Sequence, residues 1–181
     1  TIYQTAWRKT LENLLFKQCD PKRHIFASYQ SCNATLYGVA AGNIHRLQVV
    51  MNAAARLVTK TGKYEHITPV LRDLLYWLPV QQRIIFKIAV LAFNCIRGTG
   101  PVYFNDVCVP LASIPGRTCL RAASRGDLLV PATKTMIGGR SFRIAASTVW
   151  NSLPLHLHDN TISERQFKSG LKTHLFNLAY K

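Results

Sequence analysis

At 181 residues, with 48% hydrophobic and 17% charged side chains, the chain is long enough for one domain with a buried core and too apolar for wholesale disorder. Twenty-three Lys and Arg face eight Asp and Glu, a formal charge of +15 that runs the whole length rather than sitting in a tail. A surface that basic repels its own copies at low salt and calls for a polyanionic partner, nucleic acid before an anionic membrane.

In chain order, Trp7, Leu11, Leu14 and Leu15 recur at helical spacing, with Arg8, Lys9 and Glu12 off that stripe. Asp20-Pro21 should end this first helix, because the residue before proline is pushed out of αR. A short, weakly periodic helix over residues 24–37 and a loop over 38–43 follow. From Ile44 the pattern sharpens: Ile44, Leu47, Val50, Met51, Ala54, Leu57 and Val58 share one stripe of a helix over 44–60, with Asn43 as N-cap. Lys60-Thr61-Gly62-Lys63 breaks it. Thr68-Pro69 reads as a hydroxyl N-cap with proline at the first helical position, opening a helix over 68–78 that Pro79 closes. The helix over 80–97 is apolar on several sides, with Arg83, Lys87 and Asn94 as a narrow polar seam, and should be the central core helix. Gly98 to Gly100 ends it, and PVYFNDVCVP holds at most one helical turn.

Between Ser113 and Gly139, glycines and prolines punctuate short runs such as RTCLRAA and GDLLVP, which read as the strands of a small hairpin. Helix returns from Ser141, with Phe142, Ala145, Ala146, Val149 and Trp150 on one face, and stops at Leu153-Pro154. The last helix opens on a Ser163/Gln166 capping box and carries Phe167, Leu171, Leu175 and Leu178 as its stripe. The expected fold is therefore mainly α with a small β hairpin: a helical core over residues 44–97, a basic hairpin, and two C-terminal helices.

The sequence offers little to chemistry. No two of the eight acids are adjacent, so no carboxylate pair is in place for two-metal phosphoryl transfer. His156 and His158 flank Leu157 but would need a third ligand, Asp159 or His174, to hold a metal; a solvated loop is the expectation. Nucleotide-binding and hydrolase motifs are absent, and no metal or cofactor is expected. Cysteines 19, 32, 95, 108 and 119 form no Cys-x-x-Cys pair, and their odd number suggests reduced thiols in an intracellular protein, nuclear or cytoplasmic. No apolar run resembles a signal peptide, and the most apolar segment, residues 84–96, is too short to span a bilayer and contains Lys87.

The basic residues say more. Arg117, Arg121, Arg125, Lys134, Arg140 and Arg143 fall between Gly116 and Ile144 against the single acid Asp127. The first three share parity, so one face of a strand or one stripe of a helix would carry them. Gly138-Gly139-Arg140-Ser141 precedes a helix, where open backbone N–H groups would add to an anion site. A second cluster, Arg56, Lys60 and Lys63, sits at the end of the helix over 44–60. Tyr64 and Tyr103 are the aromatics that could stack on bases.

RLQVVMNAAARLVTKTGKYEHITPVLRDLLYWLPVQQRIIFKIAVL (46–91) resembles the C-terminal region of LINE-type, non-LTR retrotransposon reverse transcriptases of the Jockey group. CNATLYG upstream, and GPVYFNDV, LLVPATKTMIGGRSFRIAASTVWNSLP and FKSGLKTHLF downstream, continue the resemblance, which covers roughly residues 24–181. It implies the thumb and the segment beyond it, which help hold template and primer, and so makes residues 44–97 a thumb-like core. The family's palm aspartates and its endonuclease have no counterpart here, so no catalytic residue carries over. Residues 1–23 match nothing in the family and read as an N-terminal extension. The function so implied is catalytically silent binding of RNA or DNA through the phosphate backbone, with the missing palm and fingers domain as a further partner and no membrane. The alternatives are a protein-interaction scaffold derived from a retroelement and a translated remnant without function.

Overall fold

The computed structural model describes residues 36–104 and 106–181. The helices expected before residue 36, the boundary after residue 23, and Cys19 and Cys32 lie outside them. Ala41–Thr59 forms α1. Ile67–Pro69, α2, runs directly into a single π turn over Val70–Leu74. Val80–Ile96 is α3, and two short helices follow, α4 over Arg121–Ser124 and α5 over Met136–Gly139. Phe142–Asn151 is α6 and Glu164–Ala179 is α7, with 3-10 turns at Val102–Phe104, Leu111–Ser113 and Leu155–Leu157.

α3 is the central helix, as its sparse polar seam requires: Ile84, Ile88, Ala89, Val90, Leu91, Ala92, Phe93 and Cys95 are all buried. Pro79 is its N-cap, and Gly98 (φ +65°) follows its last turn, where a left-handed residue costs glycine nothing. Its main partners are the C-terminal helices rather than the segments before it. Ala145, Ala146, Val149 and Trp150 of α6 and Phe167, Leu171 and Leu175 of α7 join α3 in one buried cluster with Phe104, Cys108 and Leu128. A fully buried Ile, Leu or Phe contributes about 1.5–3 kcal/mol relative to exposure, so this three-helix packing dominates stability. The expectation of a core confined to residues 44–97, with the last two helices merely attached, is corrected accordingly.

An aromatic column runs through that core. The His158 ring stacks on Trp150 with centroids 4.8 Å apart, Trp150 on Phe167 at 5.9 Å, and Phe167 on Phe93 at 4.4 Å. The Arg97 guanidinium closes the column 5.0 Å from the Phe93 centroid, and donates to the carbonyls of Asp159 (2.9 Å) and Asn160. One side chain therefore ties the end of α3 to the loop that leads into α7. That helix opens on the expected capping box: Gln166 Oε1 accepts from the Ser163 amide at 2.8 Å, and Ser163 Oγ accepts from the Gln166 amide at 3.3 Å.

α1 departs from expectation in two ways. It begins at Ala41 with Ala40 as N-cap, so Asn43 lies within its first turn and caps nothing. It also packs on the flank of its apolar stripe. Met51 and Ala55 are buried in a second, smaller cluster with Ile67, Leu71 and Trp77, while Leu47, Val50 and Leu57 stay uncovered. The helix ends where the sequence placed its break, with Lys60 in the left-handed region (φ 55°).

The expected helix over 68–78 is shorter and starts earlier. His66 is the N-cap and Thr68 lies inside α2. Pro69, now third in the helix, is still tolerated because the first four N–H groups lack intrahelical acceptors. The π turn closes through the Leu75 amide on the Val70 carbonyl (2.9 Å), and Tyr76 then takes φ +51°. That reversal sends the adjacent Trp77 and Leu78 into different clusters, Trp77 into the smaller and Leu78 into the main one.

The β hairpin is not formed. Among the described residues the pairing reduces to one antiparallel bridge, Pro110 to Leu128, carried by Leu111 N–H to Asp127 O (3.0 Å) and Leu129 N–H to Val109 O (2.8 Å). The Asp127 amide, which would extend the ladder, turns back to the Ala122 carbonyl (3.0 Å), and the residues between fold into turns and α4.

Candidate nucleic-acid interface

The arginine-rich stretch that should have been a strand is a series of turns leading into α4. The Leu120 amide bonds to the Arg117 carbonyl (3.1 Å), and the Arg125 amide to the Arg121 carbonyl (3.1 Å). Arg121 and Arg125 sit one helical turn apart, and the side chains of Arg117, Arg121 and Arg125 are all exposed. The helical alternative for their shared spacing is the one that holds for this pair.

This turn is stapled to the core from behind. Asn151 acts as a strand edge would: its Oδ1 accepts from the Leu128 amide (2.8 Å) and its Nδ2 donates to the Leu128 carbonyl (2.9 Å). The Trp150 indole N–H donates to the Gly126 carbonyl at 2.9 Å. His158 places Nδ1 2.8 Å from the Arg125 carbonyl and Nε2 2.9 Å from the Trp150 carbonyl. A neutral imidazole can donate to only one of these acceptors, whereas an imidazolium satisfies both. The Asp127 carboxylate lies 3.9 Å from His158 Nδ1, and Asp127 itself is only 8% exposed. The one acid between Gly116 and Ile144 is thus turned inward, toward His158 and Arg125 (Nε to Oδ2, 4.0 Å), while Arg117 and Arg121 face out. Trp150, Asn151, Asp127 and His158 were not picked from the sequence as parts of this surface. The run of Trp-Asn at the end of a helix was the only local signal, and it read as a helix stop.

Lys134, Arg140 and Arg143 lie on the next segment, all exposed. The Arg140 side chain packs 2.9 Å from where a Gly38 Cβ would stand, and its Nε donates to the Tyr37 carbonyl (3.3 Å). This part of the basic surface therefore borders the approach to α1. The expected anion site at Gly138 to Ser141 does not form. The Gly138 amide donates to Thr135 Oγ1, and those of Gly139, Arg140 and Ser141 donate to the carbonyls of Thr135, Ile137 and Gly138. All four amides are consumed by the turn itself.

In the second basic cluster, Arg56 is committed to structure: it donates to the Gly62 carbonyl (3.4 Å) and the Glu65 carbonyl (2.9 Å), holding the loop after α1. Lys60 and Lys63 are exposed. The Lys63 ammonium sits 5.8 Å from the centroid of Tyr64, which is 93% exposed, and Tyr103 is also largely exposed. Both tyrosines therefore present open ring surface, as base stacking requires.

No group of three His, Cys, Asp or Glu able to hold a metal occurs among the described residues. His156 lies beside His174, whose imidazole is held below its ordinary pKa by burial and by the nearby charges of His156 and Lys181. Cys95 and Cys108 are buried, unbridged and hydrogen-bonded to each other; that bond and burial hold the Cys95 thiol far above its usual range. A cavity of about 520 Å³ between the starts of α1 and α3 is lined by Tyr37, Ile44, Gln48, Pro79, Ile84 and Ile85 among others, with no carboxylate or thiol on its walls. No described helix is long and apolar enough to cross a membrane. No known protein family, no curated protein and no solved structure matches the chain.

Proposed function

We propose that this chain is a catalytically silent nucleic-acid-binding module, akin to the thumb and post-thumb region of LINE-type reverse transcriptases, that grips RNA or DNA through the phosphate backbone. The observation that carries the reading is the division of charge on the stapled turn. Arg117, Arg121 and Arg125 are exposed on a segment held by Trp150, Asn151 and His158, and the one nearby acid, Asp127, is mostly buried and pairs only with Arg125 among the three. Guanidinium groups on a braced backbone lose less freedom on meeting phosphate than groups on a floppy loop. Lys134, Arg140, Arg143, Lys60 and Lys63 extend the field, and Tyr64 and Tyr103 supply stacking surface. Binding is then mostly electrostatic, with the parent polymerase's palm and fingers as a second partner.

The test is fluorescence anisotropy with single-stranded RNA, single-stranded DNA and an RNA–DNA hybrid across a salt series. Log K should fall linearly with log salt, by about 0.9 per phosphate contact on duplex DNA and about 0.7 on single strands. The triple variant R117E/R121E/R125E should lose on the order of 10²-fold in affinity and two to three contacts' worth of slope, roughly as phosphate contacts predict. Absence of salt-dependent binding to all three probes would overturn the reading. A protein-interaction scaffold is the second reading, favoured by Met136 (90% exposed) and Ile137 beside Lys134. Protein binding that survives the triple variant, with no nucleic-acid binding in the parent chain, would select it.

A further inference from the structure

The His158 side chain is 3% exposed and stacked on Trp150, and both of its ring nitrogens meet carbonyl oxygens: Nδ1 that of Arg125 (2.8 Å) and Nε2 that of Trp150 (2.9 Å). A carbonyl only accepts, so a bond at each end requires a proton on each nitrogen. Two neighbours favour that second proton. Asp127 Oδ1, buried and with no hydrogen-bond partner among the described residues, faces Nδ1 from 3.9 Å. Trp150 belongs to the last turn of α6, whose carbonyls form the negative end of the helix dipole and attract a cation. The other charged groups on the surrounding elements are accounted for. The Arg125 guanidinium is drawn to Asp127 (Nε to Oδ2, 4.0 Å), and Arg143 of α6 lies about two turns from Trp150. Asp159, next in sequence, accepts from the Thr161 amide (2.8 Å), and His156 lies beside His174. α7 meets Trp150 through Phe167; its charged groups are Glu164, paired with Lys168 (2.6 Å), Arg165 and Lys172.

A neutral ring cannot keep both bonds. The Trp150 carbonyl also accepts from the Leu153 amide (3.0 Å), whereas Nδ1 faces both the Arg125 carbonyl and Asp127, so the proton that stays is the one on Nδ1. The bare Nε2 lone pair then repels the Trp150 carbonyl, and the bridge that His158 makes between α6 and the arginine turn opens at its α6 end. Asn151 on Leu128 and Trp150 on Gly126 remain, so the turn is loosened rather than released. We propose, resting on the phosphate-binding reading above, that His158 is a proton-operated clasp: its imidazolium braces the turn carrying Arg117, Arg121 and Arg125, and loss of the Nε2 proton weakens their grip on phosphate. Because the braced turn holds the extra proton, affinity is highest on the acid side of the His158 titration and falls as pH rises through it. His174 acts on global stability in the opposite direction, so the clasp is read locally.

The experiment follows the full chain by heteronuclear NMR and by anisotropy with single-stranded RNA, between about pH 5 and about pH 8. Two slowly exchanging ring N–H signals from His158 are expected on the acid side and one, from Nδ1, on the basic side. Protection factors of the Asp127, Leu128 and Leu129 amides should fall on the order of tenfold through the same titration, as loss of one charge-assisted bond predicts. RNA affinity at fixed salt should fall by a similar factor. His158→Gln, with a single neutral amide, should bind at the parent's basic-side affinity without that pH dependence, whereas His156→Gln should keep it. A His158 ring with one N–H throughout, or protection and affinity that stay level as the ring titrates, overturns the clasp and leaves phosphate binding in place. A pH dependence that survives in His158→Gln also overturns it, assigning the effect to exposed histidines such as His45 and His66. Failure to bind RNA at any pH would instead overturn the phosphate reading, and the clasp's role with it.

Discussion

Asn151 is the residue on which the basic turn depends most directly. Its carboxamide pairs with both backbone groups of Leu128, which is buried, so Asn151→Ala leaves a donor and an acceptor without partners. The expected cost is about 1–3 kcal/mol, read as a lowered urea midpoint, with nucleic-acid affinity falling because the arginine turn loosens. Nothing in the sequence marked Asn151, since an asparagine near a helix end reads as a stop signal whether or not it reaches across to another segment. His174 illustrates a residue whose titration the surroundings shift. Burial, followed by His156 and Lys181, depresses its folded pKa, so between that value and the ordinary 6.5 the unfolded chain binds the extra proton. Stability contributed by the neutral ring is present above about pH 6.5 and is lost as pH falls through that range. His174→Gln should flatten the change in urea midpoint between about pH 7.5 and about pH 5.5; an equally steep change would remove His174 as its source.

Two glycines show how identical residues differ by element. Gly42 lies in the first turn of α1, where an added Cβ would meet nothing within 4 Å, whereas a Cβ on Gly170 of α7 would stand 2.9 Å from Leu157 Cδ2. Gly42→Ala should gain about 0.5–1 kcal/mol from helix propensity. Gly170→Ala should forfeit that gain, because Leu157 is buried and has little room to move. Thermal unfolding of the two variants side by side separates the cases. At the N-terminus of α7, Ser163→Ala removes the capping box and should cost about 1 kcal/mol. Elements with strong local signals were legible: α3, α6, α7 and the stops at Gly98 and Pro154 follow from periodicity and punctuation. The hairpin was not, because short apolar runs between glycines fit turns as well as strands, and only the tertiary structure shows the Asp127 amide turning back to the Ala122 carbonyl instead of extending the ladder.

For the whole molecule, the two clusters divide stability unequally. Ile88→Ala, at the centre of α3, should cost about 2–5 kcal/mol and lower the protection of α6 and α7 together. Leu71→Ala, in the smaller cluster, should loosen α1 and α2 while α3 keeps its slow-exchanging amides, as hydrogen exchange would report. The basic charge acts at this scale too. It is a property of the entire surface, and so it predicts a polyanionic partner without saying where the contact lies.

The sequence by itself determined the helical class, the charge and the identity of α3 as the central helix, because periodicity, capping and net charge are local or additive quantities. Tertiary structure decided which helices pack on α3, which side of α1 stays bare, and which basic residues face solvent. Those outcomes depend on contacts between residues far apart in the chain: Asn151 on Leu128, His158 on Arg125, Arg97 on the loop before α7. Spacing along one segment carries no record of them. The arginines at 117, 121 and 125 could be named from the sequence, but only the structure shows Asp127 turned inward onto Arg125 and His158, leaving Arg117 and Arg121 exposed without it.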